Sequence, residues 1–162
     1  MMSAVSLKRC VRSVRWMSET KKFEEILEQD HVLVYTCRGF SMWPLLRQNR
    51  DLLVIRKPER ELRKYDIVLF KVNGKYLLHR IIEIKGDTIV TAGDHNSFKD
   101  RPIDRKMICG ILEKVVRDGK EINIDDLHLR VYGHIVADLF DVKAACMKAG
   151  AKLRRIRRRI TG

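Results

Sequence analysis

No apolar run in this chain approaches the roughly eighteen residues that a membrane-spanning helix needs. The N-terminus has no apolar stretch of the kind a secretory signal carries. Four cysteines are present, Cys10, Cys37, Cys109 and Cys146, but none stands at CxxC spacing and no His/Cys cluster accompanies them. That pattern gives neither a zinc site nor a disulfide framework, and free thiols are expected. No cofactor or metal is implied. Internal repeats and low-complexity linkers are missing. Acidic residues are missing from both ends: residues 1–17 hold Lys8, Arg9, Arg12 and Arg15, and the last stretch holds Lys152, Arg154, Arg155, Arg157, Arg158 and Arg159, with no Asp or Glu in either.

What is there is a globular composition. The 162 residues are 45% hydrophobic, enough for one domain with a real core. Thirty-four Lys and Arg against twenty-one Asp and Glu give a net charge of +13. The middle of the chain is nearly balanced, so the excess belongs to the ends. A polyanionic partner is one consequence. Residues 1–17 have the composition of a mitochondrial transit peptide. The preferred reading is a start placed too early, with Met17 as the natural beginning and Ser18 or Thr20 capping the helix that follows. The expected organisation is 1–17 outside the fold, 18–120 the main folded domain, and 121–162 a C-terminal amphipathic helix with a basic tail.

Hydrophobic periodicity predicts a short helix over 20–30, with Phe23, Ile26 and Leu27 on one face. Strands follow at 31–36, 51–56, 66–72, 76–84, 88–91 and 108–116. Asn73-Gly74 and Asp118-Gly119 are hairpin turns, and Lys85-Gly86-Asp87 is another turn. Short strands with frequent turns predict a mainly β fold, a compact sandwich or small barrel. Leu129, Tyr132, Ile135, Val136, Leu139 and Phe140 then recur at helical spacing, predicting an amphipathic helix that ends in the arginines.

Three segments carry candidate chemistry. Gly39-Phe40-Ser41-Met42-Trp43-Pro44 puts a hydroxyl in a turn that glycine opens and proline stiffens. His79-Arg80 interrupts an apolar strand, and histidine is the side chain suited to general base work near neutral pH. Such a base is what a serine hydroxyl needs to become a nucleophile. The polar loop from Gly93 to Arg101 offers Asp94 and Asp100, either of which could orient an imidazole. Each segment alone is more simply a turn, a strand residue or an Asx-rich loop.

Together, from about Thr36 to Val116, they resemble the signal peptidase I superfamily, which also contains the self-cleaving SOS repressors. Ser41-Met42-Trp43-Pro44 matches the nucleophile box S-M-x-P. Asp51-Leu52-Leu53-Val54 and Tyr65-Asp66-Ile67-Val68-Leu69-Phe70 match two following strands. His79-Arg80-Ile81 matches the strand that carries the base, and Gly93, Asp94, Asn96 and Asp100 match the late G-D-x-N…D box. Histidine at the base position resembles the endoplasmic-reticulum, archaeal and sporulation-type branch, where other members use lysine. The resemblance implies Ser41 as nucleophile, His79 as base and Asp100 as the orienting acid, with Asp94, Met42 and Arg80 in supporting places. It implies that the Ser41 N–H helps to form an oxyanion hole. The chain departs from the pattern in four ways. Gly39 stands where some relatives carry a second serine. Arg50 and Tyr65 replace two turn glycines. The N-terminal membrane helix usual in the family is missing.

The function this resemblance implies is serine endopeptidase activity on an extended peptide or preprotein, cut after a small residue. The rival expectation is a non-catalytic or self-cleaving module of the same fold that binds an anionic partner through its basic tail. Too few residues precede the core for a DNA-reading domain, and the tail has no interleaved aromatics, which disfavours nucleic acid. An anionic membrane surface met by Arg154, Arg155, Arg157, Arg158 and Arg159 is the expected non-peptide partner. A membrane-anchored partner protein is a further expectation. The expected setting is a membrane surface or the cytoplasm of a prokaryote, ahead of a mitochondrion.

Overall fold

The computed structural model describes residues 22–160, so the expectations for 1–17 and for Ser18 or Thr20 as a cap lie outside the described residues. Helix α1 (Phe23–Asp30) starts from Lys22, which makes no side-chain capping bond. It buries Ile26 and Leu27. The strands are β1 (Val32–Thr36), β2 (Asp51–Arg56), β3 (Ile67–Val72), β4 (Lys75–Lys85), β5 (Thr88–Ala92), β6 (Ile103–Asp104), β7 (Ile108–Arg117) and β8 (Lys120–Asn123). A single 3-10 turn, Arg105–Met107, links β6 to β7. All strand pairs are antiparallel, in one sheet ordered β1-β2-β7-β3-β4-β5-β6, with β8 folded back on β7. The fold is mainly β, as the sequence predicts, but the sheet does not close into a barrel.

Local chemistry accounts for the turns. Asn73 and Gly74 have φ of 50° and 76°, and Asp118 and Gly119 have φ of 51° and 77°. Positive φ at both central residues is the turn whose twist matches a right-handed hairpin, and Asn-Gly and Asp-Gly accept it readily. The first four residues of β3, Ile67–Phe70, are apolar without a break because both faces are covered there. Ile67 and Leu69 join one core with Leu27, Leu53, Ile55 and Leu112. Val68 and Phe70 join a second with Ile81, Ile89 and Ile103.

Tyr65 keeps a left-handed backbone, φ 82°, at a position where glycine would be unstrained. Tertiary contacts hold it there. Its N–H donates to Ile81 O at 2.9 Å. Its carbonyl accepts from Arg80 at 3.0 Å, and its ring lies 3.8 Å from that of His134. Arg50 is not itself left-handed, because Asn49 before it takes that conformation at φ 59°.

Asp51 is fully buried at the start of β2. It accepts from Arg117 Nε at 2.8 Å and Nη2 at 2.6 Å, and from the Arg47 N–H at 2.8 Å. Arg117 also reaches Leu45 O at 2.7 Å, so the cluster pins the exit of the Ser41 turn to β7. Burial pushes the Asp51 carboxyl upward, but Arg117 and the Arg47 N–H outweigh it and hold it below the ordinary value. A carboxyl lowered on folding stabilises fully above its unfolded value, about 3.9. That stability is lost as pH falls through the lower folded value. Urea unfolding at about pH 6 and about pH 3 should show the wild type losing stability, and Asp51→Asn losing less of it.

The C-terminal segment corrects the expectation of one helix. Helix α2 (Leu127–Asp138) and helix α3 (Phe140–Ile160) meet at Leu139. Leu139 N–H to Ile135 O and Lys143 N–H to Leu139 O, at 3.0 and 2.9 Å, carry the hydrogen bonding across the junction. The arginines belong to the backbone helix of α3, not to a separate tail. Ala137, Phe140 and Ala144 pack on Ile82 and Ala92 of the sheet. Ile135 and Leu139, expected on that buried face, are exposed. Apolar residues here form two stripes, and the sheet covers one.

Candidate active site

Nothing in the turn around Ser41 is regular structure, and short contacts hold it. Gly39 takes φ 85°, and its N–H donates to Gln48 Oε1 at 3.0 Å. Trp43 N–H reaches Phe40 O at 3.1 Å, and Leu46 N–H reaches Met42 O at 2.9 Å. The Trp43–Pro44 peptide is cis. Met42 is buried in the first core and anchors the turn from beneath. The Gly93 loop closes over it: His95 N–H donates to Ser41 O at 2.7 Å. A Cβ on Gly93 would lie 2.6 Å from Ser41 O and 2.9 Å from Ser41 Cβ, so only glycine fits there.

Strand alternation sends His79 and Arg80 to opposite faces of β4. His79 is 5% exposed and lies edge-on to Phe70. Its Nδ1 is 2.6 Å from Asp100 Oδ2. That same oxygen accepts from Thr91 Oγ1 at 2.7 Å, and Asp100 N–H donates to Thr91 O at 2.8 Å. Thr91 therefore fixes Asp100 by main chain and side chain at once. With Nδ1 engaged by a carboxylate, the lone pair of a neutral imidazole is left on Nε2.

Ser41 and His79 line one cavity of about 430 Å³, together with Phe23, Tyr35, Cys37, Gly39 and Leu78. The cavity holds a second nucleophile type in Cys37, but burial, and then the charge of Asp51, push that thiol up to about 11. It is protonated near neutral pH, which leaves the hydroxyl of Ser41 as the candidate. Among the described residues, Cys37, Cys109 and Cys146 are unpaired. No group of three His, Cys, Asp or Glu there is placed to hold a metal.

The site residues thus fall into two groups. Ser41, His79 and Asp100 gather at the cavity and its wall. Arg80 and Asp94 form a separate buried pair, with Nε to Oδ1 and Nη2 to Oδ2 both at 2.8 Å. Tyr132 and Gly133 of α2 cover the Arg80 guanidinium, and Lys143 of α3 donates to Asp94 O at 2.7 Å. Burial, with the Asp94 charge behind it, raises the Tyr132 hydroxyl well above its ordinary value. Sequence reasoning missed Thr91, Cys37 and the helical cover. Thr91 had a weak signal, a hydroxyl near the end of the strand leading into the acidic loop. The cover had none, because it depends on where α2 and α3 dock.

A family profile described as peptidase S24-like matches residues 7–116, about two-thirds of the chain. The chain belongs to the peptidase S24-like family. A search of curated proteins finds no match. Membership makes this a hydrolase-type fold, serine peptidase-like or self-cleaving, within the S24-type superfamily. The matched S24-like region takes in Ser41, His79 and Asp100 and stops before α2. The two consecutive helices over Arg80 and Asp94 lie outside it.

Proposed function

We propose that this S24-like chain is a serine endopeptidase of the signal peptidase I type, cutting an extended peptide after a small residue. The observation that carries the reading is His79 hydrogen-bonded to Asp100 while facing the same cavity as Ser41. In this reading His79 Nε2 takes the Ser41 proton as Oγ attacks the scissile carbonyl. The Ser41 N–H stabilises the oxyanion. The C–N bond breaks, the amine leaves with the proton from His79, and water activated by His79 releases the acyl group. Asp100 holds the ring and stabilises its charged form.

The sheet supports an extended substrate. Strand β4 pairs with β5 only from Arg80 onward. Residues 75–79 therefore have no strand partner on that side among the described residues, and they line the cavity. A peptide could add there as a strand. Cleavage of a synthetic peptide carrying an Ala-x-Ala site tests the reading.

The family match also admits self-cleavage, and Gly93 packs directly against Ser41. Self-cleavage would need an accessible small-residue–Gly dipeptide such as Ala92-Gly93, Cys109-Gly110 or Ala149-Gly150; the first leaves β5, the second lies within β7 and the third within α3. Each sits in or beside hydrogen-bonded structure, which supports cleavage of a separate peptide instead.

A further inference from the structure

Five of the eight exposed large apolar side chains among the described residues fall on one line: Leu127, Val131, Ile135, Leu139 and Val142. Their spacing of four, four, four and three places them on one face of the α2–α3 run. The buried face of the same helices is already used against Ile82 and Ala92, so this second stripe has no role in the core.

We propose that this stripe, with the basic end of α3, docks the protein on an anionic lipid surface. Charge selects that occupant. Of the acids along the stripe, Asp138 is paired with Lys64 and Asp141 with Lys99, while exposed Asp125 and Asp126 stand before its first residue, at the end opposite the basic segment of α3. After Asp141 the sequence has no further acid, and it adds Lys148, Lys152, Arg154, Arg155, Arg157, Arg158 and Arg159. Lys148, Lys152 and Arg154 are exposed. An apolar stripe continued by uncompensated cations is the pattern of a helix lying in a lipid headgroup layer. A second copy of the chain would bring another net +13, and like charge opposes it. Among the described residues no helix is long and apolar enough to cross the membrane, and this docking needs none.

The test is flotation of the full chain with two vesicle types: neutral phosphatidylcholine, and phosphatidylcholine with about a third phosphatidylglycerol. Binding to the anionic vesicles alone is expected, weakening as salt rises. A Val131→Asp/Ile135→Asp variant should lose at least about tenfold in partitioning, with the stripe no longer apolar. Val131→Leu/Ile135→Leu should retain binding, and thermal midpoints check that both variants fold. Three outcomes overturn the proposal: no binding to anionic vesicles, binding unchanged by the Asp variant, or self-association that the Asp variant abolishes. The readout is lipid binding, so failure here is distinct from failure of the peptidase reading.

Discussion

A Ser41→Ala variant is expected to lose cleavage of the Ala-x-Ala peptide by about 10⁴-fold to 10⁶-fold, with its thermal midpoint unchanged. The side chain lost is small, and the turn is held by backbone contacts that alanine keeps. His79→Ala should cost about as much, because a serine without a base is a weak nucleophile. Asp100→Asn should lower kcat on the order of 10⁴-fold, since an amide can turn its NH₂ toward Nδ1 and favour the wrong tautomer. Thr91 bears on the same point. Its hydroxyl already donates to the Asp100 oxygen that meets His79, so that oxygen is set as an acceptor. Initial rates across peptide concentrations check all three. A Ser41→Ala variant that cleaves at the wild-type rate would remove Ser41 from the mechanism.

Asp94→Ala should be the most destabilising single change at the site. The Arg80 and Asp94 side chains are 3% and 0% exposed and share two hydrogen bonds. Removing the carboxylate leaves a buried guanidinium without its counter-charge, at a cost of about 3–5 kcal/mol. For a chain of this size that lowers the melting temperature on the order of 10 °C. Activity should fall with it, because the loop from Asp94 to Asp100 carries both the His95 contact to Ser41 and the Asp100 contact to His79. An Arg80→Met/Asp94→Leu double variant should be less destabilised than Asp94→Ala, since it removes both charges together. Thermal melts of the three proteins check this. A double variant as unstable as the single would mean that packing, not the unpaired charge, sets the cost.

Much of the sheet was legible because its signals are local. Strand β2 falls on the predicted 51–56, β1 starts one residue later than expected, and β4 is one residue longer at each end. The Asn73-Gly74 and Asp118-Gly119 turns follow from which residues accept positive φ. Strand β6 has two residues, too few to show any period. The break at Leu139 was hidden because apolar spacing of three and four continues through it. For the same reason the two stripes of α2 and α3 merged into one. Periodicity reports a helix face but not which face the sheet covers.

Site residues divide along the same line. Ser41, His79 and Asp100 were named as candidates because their segments stand in the order of a known family, while no single segment is distinctive. The structure brings His79 and Asp100 into contact across 21 residues of sequence. Asp94 and Asp100 could not be separated by local sequence, as both lie in one polar loop. Their partners separate them: Asp94 meets Arg80 inside the protein, and Asp100 meets His79 at the cavity wall. Cys37 entered the cavity unannounced because it is the first residue after β1, and nothing local marks the path the chain takes from there to Gly39.

The proposed mechanism requires Ser41 to form a covalent acyl-enzyme with His79 as its base. Acid-quenched mass analysis of the full chain during turnover of an Ala-x-Ala peptide ester tests it most directly. An acyl adduct is expected on the peptide containing Ser41, absent in Ser41→Ala and strongly reduced in His79→Ala. Turnover that persists in Ser41→Ala, or an adduct on Cys37 in its place, would contradict it.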